Sequence, residues 1–180
     1  MLGIEDLVKE FPAAIGELRI LKTKTGGFMS TTYGDMIPTS INFTPGFFNF
    51  NGRWGIQGIY MGTKTGLHPQ NTGLRESGTH EFGHVIEVFM SKRKASGGWF
   101  SYMEQHRYSH NVLARALSAI RKDKEHKWKT DDELILEISE YASENSNECL
   151  SEAVADYMRN KNNAAPLSRE IWKILKKDVR

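Results

Sequence analysis

"GTHEFGHVIEVFM", residues 78–90, decides how the rest of this chain is read. His80 and His84 stand four apart, with Glu81 directly after the first. At 3.6 residues per turn, positions i and i+4 lie one above the other, so both imidazoles leave the same side of a helix. Phe82, Val85, Ile86 and Phe89, with Leu74 upstream, centre on nearly the opposite side. A helix that only had to face water could carry any polar residues opposite its apolar stripe. Two imidazoles at this separation can instead bring both nitrogens to one ion, which zinc binds at about 2.0–2.1 Å. Glu81 is turned by about 100° from its neighbour, so it flanks the ion position and does not ligate it. A carboxylate there can act as general base toward a metal-activated water. Gly83 costs a helix about 1 kcal/mol against Ala. Its presence predicts a close backbone approach, by a neighbouring element or by a substrate.

Catalytic zinc usually takes three protein ligands. His68, His106, His110 and His126 fall in loops or near helix ends and have no partner at a useful spacing. The stretch "YASENSNECLSEAVADY", residues 141–157, is a better source. Glu148 and Glu152 stand four apart on one helical face, while Cys149, Ala153 and Tyr157 with Leu150, Val154 and Met158 form the apolar side. Asn145-x-x-Glu148 also fits a helix cap with its reciprocal partner, and the spacing alone leaves both readings open. Cys149, on the apolar side, reads as a small buried hydrophobe.

His80-Glu81-x-x-His84 followed by Asn147-Glu148-x-x-Ser151-Glu152 resembles the gluzincin metallopeptidases. The resemblance implies that Glu148 is the third zinc ligand and that Glu152 holds the free nitrogen of a ligating histidine. A narrower resemblance, to the anthrax lethal factor catalytic domain and the Pro-Pro endopeptidases, rests on His80-Glu81-Phe82-Gly83-His84, Tyr141, Glu148 and Glu152-Ala153. It implies that Tyr141 stabilises the oxyanion of a tetrahedral intermediate. The chain departs from that family in the long link between His84 and Glu148, which includes the basic stretch 109–129. The implied activity is a zinc-dependent endopeptidase with one Zn2+ per chain, Glu81 as general base, and a peptide or protein as substrate. The alternative is a zinc-stabilised binding or assembly module that keeps the site but does not cut. Peptide deformylases share His-Glu-x-x-His, but their Cys-Leu-Ser ligand segment precedes it, whereas "ECLS" (148–151) follows it here.

The remaining sequence frames this site. At 180 residues, the chain is long enough for one well-buried core, and a single domain is expected over 1–180. The predicted fold class is α+β and zincin-like: a small twisted sheet packed on the His-Glu-x-x-His helix, then a helical C-terminal half. Strands are expected at 17–24, 28–33, 39–45 and 58–64, making a sheet-rich half over about 17–64. The last of these is the expected edge for an extended substrate. The aromatic stretch 46–54 is a candidate lining for side-chain pockets. A helix is predicted around Ile4, Leu7, Val8 and Phe11. From about 72 to 177 the pattern is helical, with a capping box, Thr130-x-x-Glu133, opening "DDELILEISEYA".

The net charge of +2 argues neither for nor against a nucleic-acid partner, and the basic run 121–129 reads as a solvated face. Neither specific nucleic-acid binding nor a membrane partner is expected. One cysteine excludes an internal disulfide framework, and "MLGIEDLVKEF" is not a signal peptide. No segment approaches the roughly 20 apolar residues of a membrane span, so cytoplasm is the default expectation.

Overall fold

Residues 74–94 form the longest helix among the described residues. The computed structural model describes residues 3–15, 19–22, 29–32, 39–43, 52–94 and 102–179. In chain order the elements are α1 (Ile4–Glu10), β1 (Arg19–Lys22), β2 (Met29–Thr32), β3 (Ser40–Phe43), α2 (Gly52–Thr65), α3 (Leu74–Lys94), α4 (Tyr102–Ile120), α5 (Asp131–Leu136), α6 (Ser146–Asn160) and α7 (Pro166–Asp178). Among the described residues the architecture is mostly helical with one small sheet, an α+β arrangement.

The sheet has the order β1-β3-β2, with β1 and β3 parallel and β3 and β2 antiparallel. Ile41 on β3 pairs with Ile20 on one side and Thr31 on the other, and its side chain is fully buried. The sheet packs on α3 chiefly through β2.

The apolar stripe of α3 does what its spacing requires. Phe82, Val85, Ile86 and Met90 are buried, and Phe89 is partly buried. They meet Leu150, Ala153 and Val154 of α6, with Val112 and Ala116 of α4 and Leu167, Ile171 and Leu175 of α7 closing the same core. Cys149 is a free, fully buried thiol within it. Phe11 and Trp172 pack edge to face at 5.1 Å, joining the N-terminal segment to α7.

Gly83 is a point of close approach between α3 and α6. A Cβ on residue 83 would lie 2.7 Å from Ser151 Cα and 2.9 Å from Ser151 Oγ. The close approach expected of this glycine is therefore made by a neighbouring helix. It sets the interaxial spacing that lets α6 side chains reach the histidine face.

Two expectations need correction. Residues 58–64 are not a strand but the second half of α2, so among the described residues the last strand of the sheet is β3. Their exposure follows a helical period: Ile59, Gly62 and Thr63 point inward while Tyr60, Met61, Lys64 and Thr65 point out. The hydroxyls of Thr63 and Thr65 bond carbonyls four residues back, at Ile59 and Met61. The aromatic stretch 46–54 lies outside the described residues, save the backbone of its last three, which begin α2.

The second correction concerns the helix opened by Thr130. The capping box forms as expected, with Thr130 Oγ1 accepting from Glu133 N and Glu133 Oε2 accepting from Thr130 N. Yet α5 stops at Leu136, and Tyr141 sits in a separate 3-10 turn, Tyr141–Ser143. The reason is competition for backbone donors. Glu140 N and Tyr141 N bond to Gly66 O at 2.8 Å and Leu67 O at 3.0 Å, instead of continuing the helical ladder.

The basic run 121–129 is a series of exposed turns, with Arg121 paired to Asp131 and Lys129 to Glu137. Among the described residues, no helix is long and apolar enough to cross a membrane.

Candidate metal centre

The polar face of α3 is covered by α6, and there three side chains converge. His80, His84 and Glu148 each offer one ligand atom within 4.8 Å of the others, and the group could hold a metal ion. Glu148 Oε2 lies 3.2 Å from His80 Nε2 and 3.4 Å from His84 Nε2. The two imidazole rings cross edge to face at 5.0 Å between centroids. The histidine side chains are only 14% and 13% exposed, so this is no ordinary solvated helix face.

One observation tests whether a metal suits this group. Glu148 Oε2 is buried and, although two ring nitrogens lie within ion-pair range, neither is aligned to hydrogen-bond it. A buried carboxylate oxygen in that state costs folding free energy unless something else satisfies it. Two imidazoles and a carboxylate are also the donor types that divalent transition metals prefer. The residues present fit the ion.

Local structure explains how Glu148 gets there. Asn145 caps α6, its side chain accepting from Asn147 N at 2.9 Å and Glu148 N at 3.0 Å. So the cap read in the sequence exists, and the Glu148 backbone belongs to it. The Glu148 side chain is left to turn toward the histidines, and the two readings coexist.

A second carboxylate stands behind each imidazole. Glu152 Oε1 lies 2.7 Å from His80 Nδ1, an ion-pair contact outside hydrogen-bond alignment. Glu87 Oε2 lies 3.6 Å from His84 Nδ1, and Glu87 is fully buried. Such outer partners would fix which ring nitrogen faces an ion held there.

Electrostatics follow from this crowding. Burial lowers the basicity of His80, but Glu148 and Glu152 outweigh it and raise its pKa to about 10. Burial likewise works against His84, and Glu148 and Glu87 bring it up to about 9. For Glu148, burial favours the neutral acid, yet the imidazoles hold it well below the usual carboxylate range. Glu152 behaves in the same way, drawn down to about 2 by His68 and His80 against its burial.

Glu81 and Tyr141 border a cleft of about 220 Å3 beside this group, together with His68, His80, Glu152 and Ile59. Thr31 Oγ1 from β2 lies 2.7 Å from Glu81 Oε2 and 3.0 Å from the Glu81 carbonyl oxygen. The Tyr141 ring lies 5.9 Å from the His80 ring and 5.7 Å from that of His68. Burial, then the nearby Glu148 and Glu152, raise the Tyr141 phenol above its ordinary pKa, so it keeps its proton at neutral pH.

The structure thus brings all the residues expected at the site into one neighbourhood. It adds Thr31, His68, Glu87 and Ser139, which sequence reasoning missed. Of these only His84-x-x-Glu87 carried a spacing signal, since i and i+3 share a helix face. His110 lies exposed on α4.

No protein-family model, curated protein or solved structure matches this chain.

Proposed function

We propose that this chain is a zinc-dependent endopeptidase with a zincin-like, gluzincin-type centre. His80, His84 and Glu148 would hold the ion, one per chain. The observation that carries this reading is the spacing at Glu148. Tetrahedral ligands 2.0–2.1 Å from zinc stand about 3.3 Å from one another. Glu148 Oε2 stands 3.2 Å and 3.4 Å from the two imidazole nitrogens and has no hydrogen bond of its own.

Bound there, zinc would supply Lewis acidity to a water molecule and to a peptide carbonyl. The chain's own residues supply the remainder. Thr31 holds Oε2 of Glu81, which leaves Oε1 to accept a proton and return it to the departing amine. Tyr141, a neutral donor beside the His80 ring, would hydrogen-bond the oxygen on which charge develops. Glu152 and Glu87 keep the ligating imidazoles oriented.

An extended substrate would pair with β2. It ends the sheet among the described residues, and its Thr31 touches the general base. Backbone pairing of this kind gives affinity with little sequence choice. The test is hydrolysis of a peptide library by purified protein, abolished by a chelator and restored by zinc. Hydrolysis indifferent to the chelator would dismiss the proposal.

A further inference from the structure

Glu152 is 2% exposed, and its two oxygens face different parts of the chain. Oε1 contacts His80 Nδ1 at 2.7 Å and lies 3.5 Å from His68 Nδ1. Oε2 accepts a hydrogen bond from Ser139 Oγ at 2.9 Å. Ser139 Oγ in turn accepts from the Ala142 N–H at 3.0 Å, inside the turn that carries Tyr141. One carboxylate therefore joins three segments: α3, the loop after α2, and the Tyr141 turn.

The placement of His68 is itself over-determined. A Cβ on Gly62 would sit 2.9 Å from His68 Cδ2, so this glycine makes room for the ring. His68 N bonds to Gly62 O at 3.3 Å, and the preceding residues are strapped to Glu140 and Tyr141 through Gly66 O and Leu67 O. The ring then meets Tyr141 edge to face, with planes 70° apart.

We propose that Ser139 and His68 are positioning residues that act through Glu152, setting the His80 imidazole and the Tyr141 turn as one unit. Its consequence for turnover rests on the hydrolase reading above. Its consequence for metal affinity rests only on the His80, His84 and Glu148 group.

The physical argument is one of lost freedom. The terminal torsion of a glutamate is broad, so a carboxylate held at a single oxygen can swing. Contacts at both oxygens fix its plane. Ser139 has one hydroxyl proton, given to Glu152, and a lone pair that takes the Ala142 N–H, so its own orientation is set from both sides. Removing that hydroxyl releases Oε2 and leaves a buried backbone N–H unsatisfied. The first effect reaches His80, and the second reaches Tyr141.

The test is a double-mutant cycle read by Zn2+ affinity, in competition with a chromophoric chelator. Glu152→Gln should weaken zinc binding by about 10- to 100-fold. Ser139→Ala should weaken it about fivefold, the scale of one ordinary hydrogen bond. The double variant should bind no more weakly than Glu152→Gln alone, because Ser139 has no other route to the metal. His68→Phe keeps a ring against Tyr141 but loses the N–H, and should also weaken binding. His68→Asn, which returns an N–H near the Nδ1 position, should restore it. If Ser139→Ala does not fold, the His68 pair carries the same test.

Penalties that multiply in the double variant, or wild-type affinity in His68→Phe, would overturn the proposal. An intact cycle in a protein that cuts no peptide would instead overturn the hydrolase reading alone. Absence of zinc binding by the wild-type chain would overturn both.

Discussion

Gly83 and Ser151 touch where α3 crosses α6, and no side chain larger than hydrogen fits at position 83. That contact fixes how near Glu148 and Glu152 come to the histidine face. Gly83→Ala gains about 1 kcal/mol of helix propensity. It also forces a methyl against a backbone atom of α6, and overpacking of this kind costs about 1–3 kcal/mol. The expected result is a protein of lower thermal stability with weaker metal binding. Ser151→Gly in the same background should rescue only partly, because the nearest clash is with Cα and not with the side chain. Thermal denaturation with and without zinc checks both statements.

The two α6 carboxylates should separate cleanly. Glu148→Ala removes a donor atom and should abolish stoichiometric zinc binding. Glu152→Ala should keep one zinc per chain, bound about 10- to 100-fold more weakly. Metal analysis after gel filtration distinguishes them, and the opposite pattern would exchange their roles.

The pH dependence follows from the direction of each shift. In chelated protein the His80 and His84 pKa values are raised from 6.5 to about 10 and about 9. Their contribution to stability is fully present below 6.5 and is lost as pH rises through 9 to 10. Glu148 and Glu152 are depressed from 4.5, so their contribution is present above that value and is lost as pH falls into the acid range. Zinc must displace the imidazole protons, so its affinity should climb from neutral pH toward 10. Calorimetry in buffers of different ionisation enthalpy should find about two protons released per zinc at pH 7.

Tyr141→Phe keeps the ring against His68 and His80 but removes the phenol. Zinc affinity should be unchanged, while turnover of a peptide substrate falls by about a hundredfold or more. Loss of zinc in this variant would make Tyr141 a structural residue of the centre.

What the sequence made legible was whatever one helix can encode. His80 with His84, and Glu148 with Glu152, are four residues apart, and a helix turns that spacing into a shared face. The Thr130 capping box is local in the same sense. Tyr141 comes beside the His80 ring, but in a turn and not in the expected helix, because the bonds that end α5 come from Gly66 and Leu67, far along the chain. Residues 58–64 misled for another reason. Their Ile, Tyr and Thr content favours a strand, while the inward set Ile59, Gly62 and Thr63 has helical period, and the period governs. Thr31, His68 and Ser139 reach the site from a strand, a loop and a turn. No spacing rule links such positions, and only packing brings them together.

The most direct measurement sets wild type beside Glu81→Gln, with zinc content and peptide-library cleavage read on the same preparations. The expected result is one zinc per chain in both proteins and cleavage in the wild type alone, because the proposed role of Glu81 is to move a proton and not to bind the ion. Equal cleavage by the two, or no zinc in the wild type, would contradict the account.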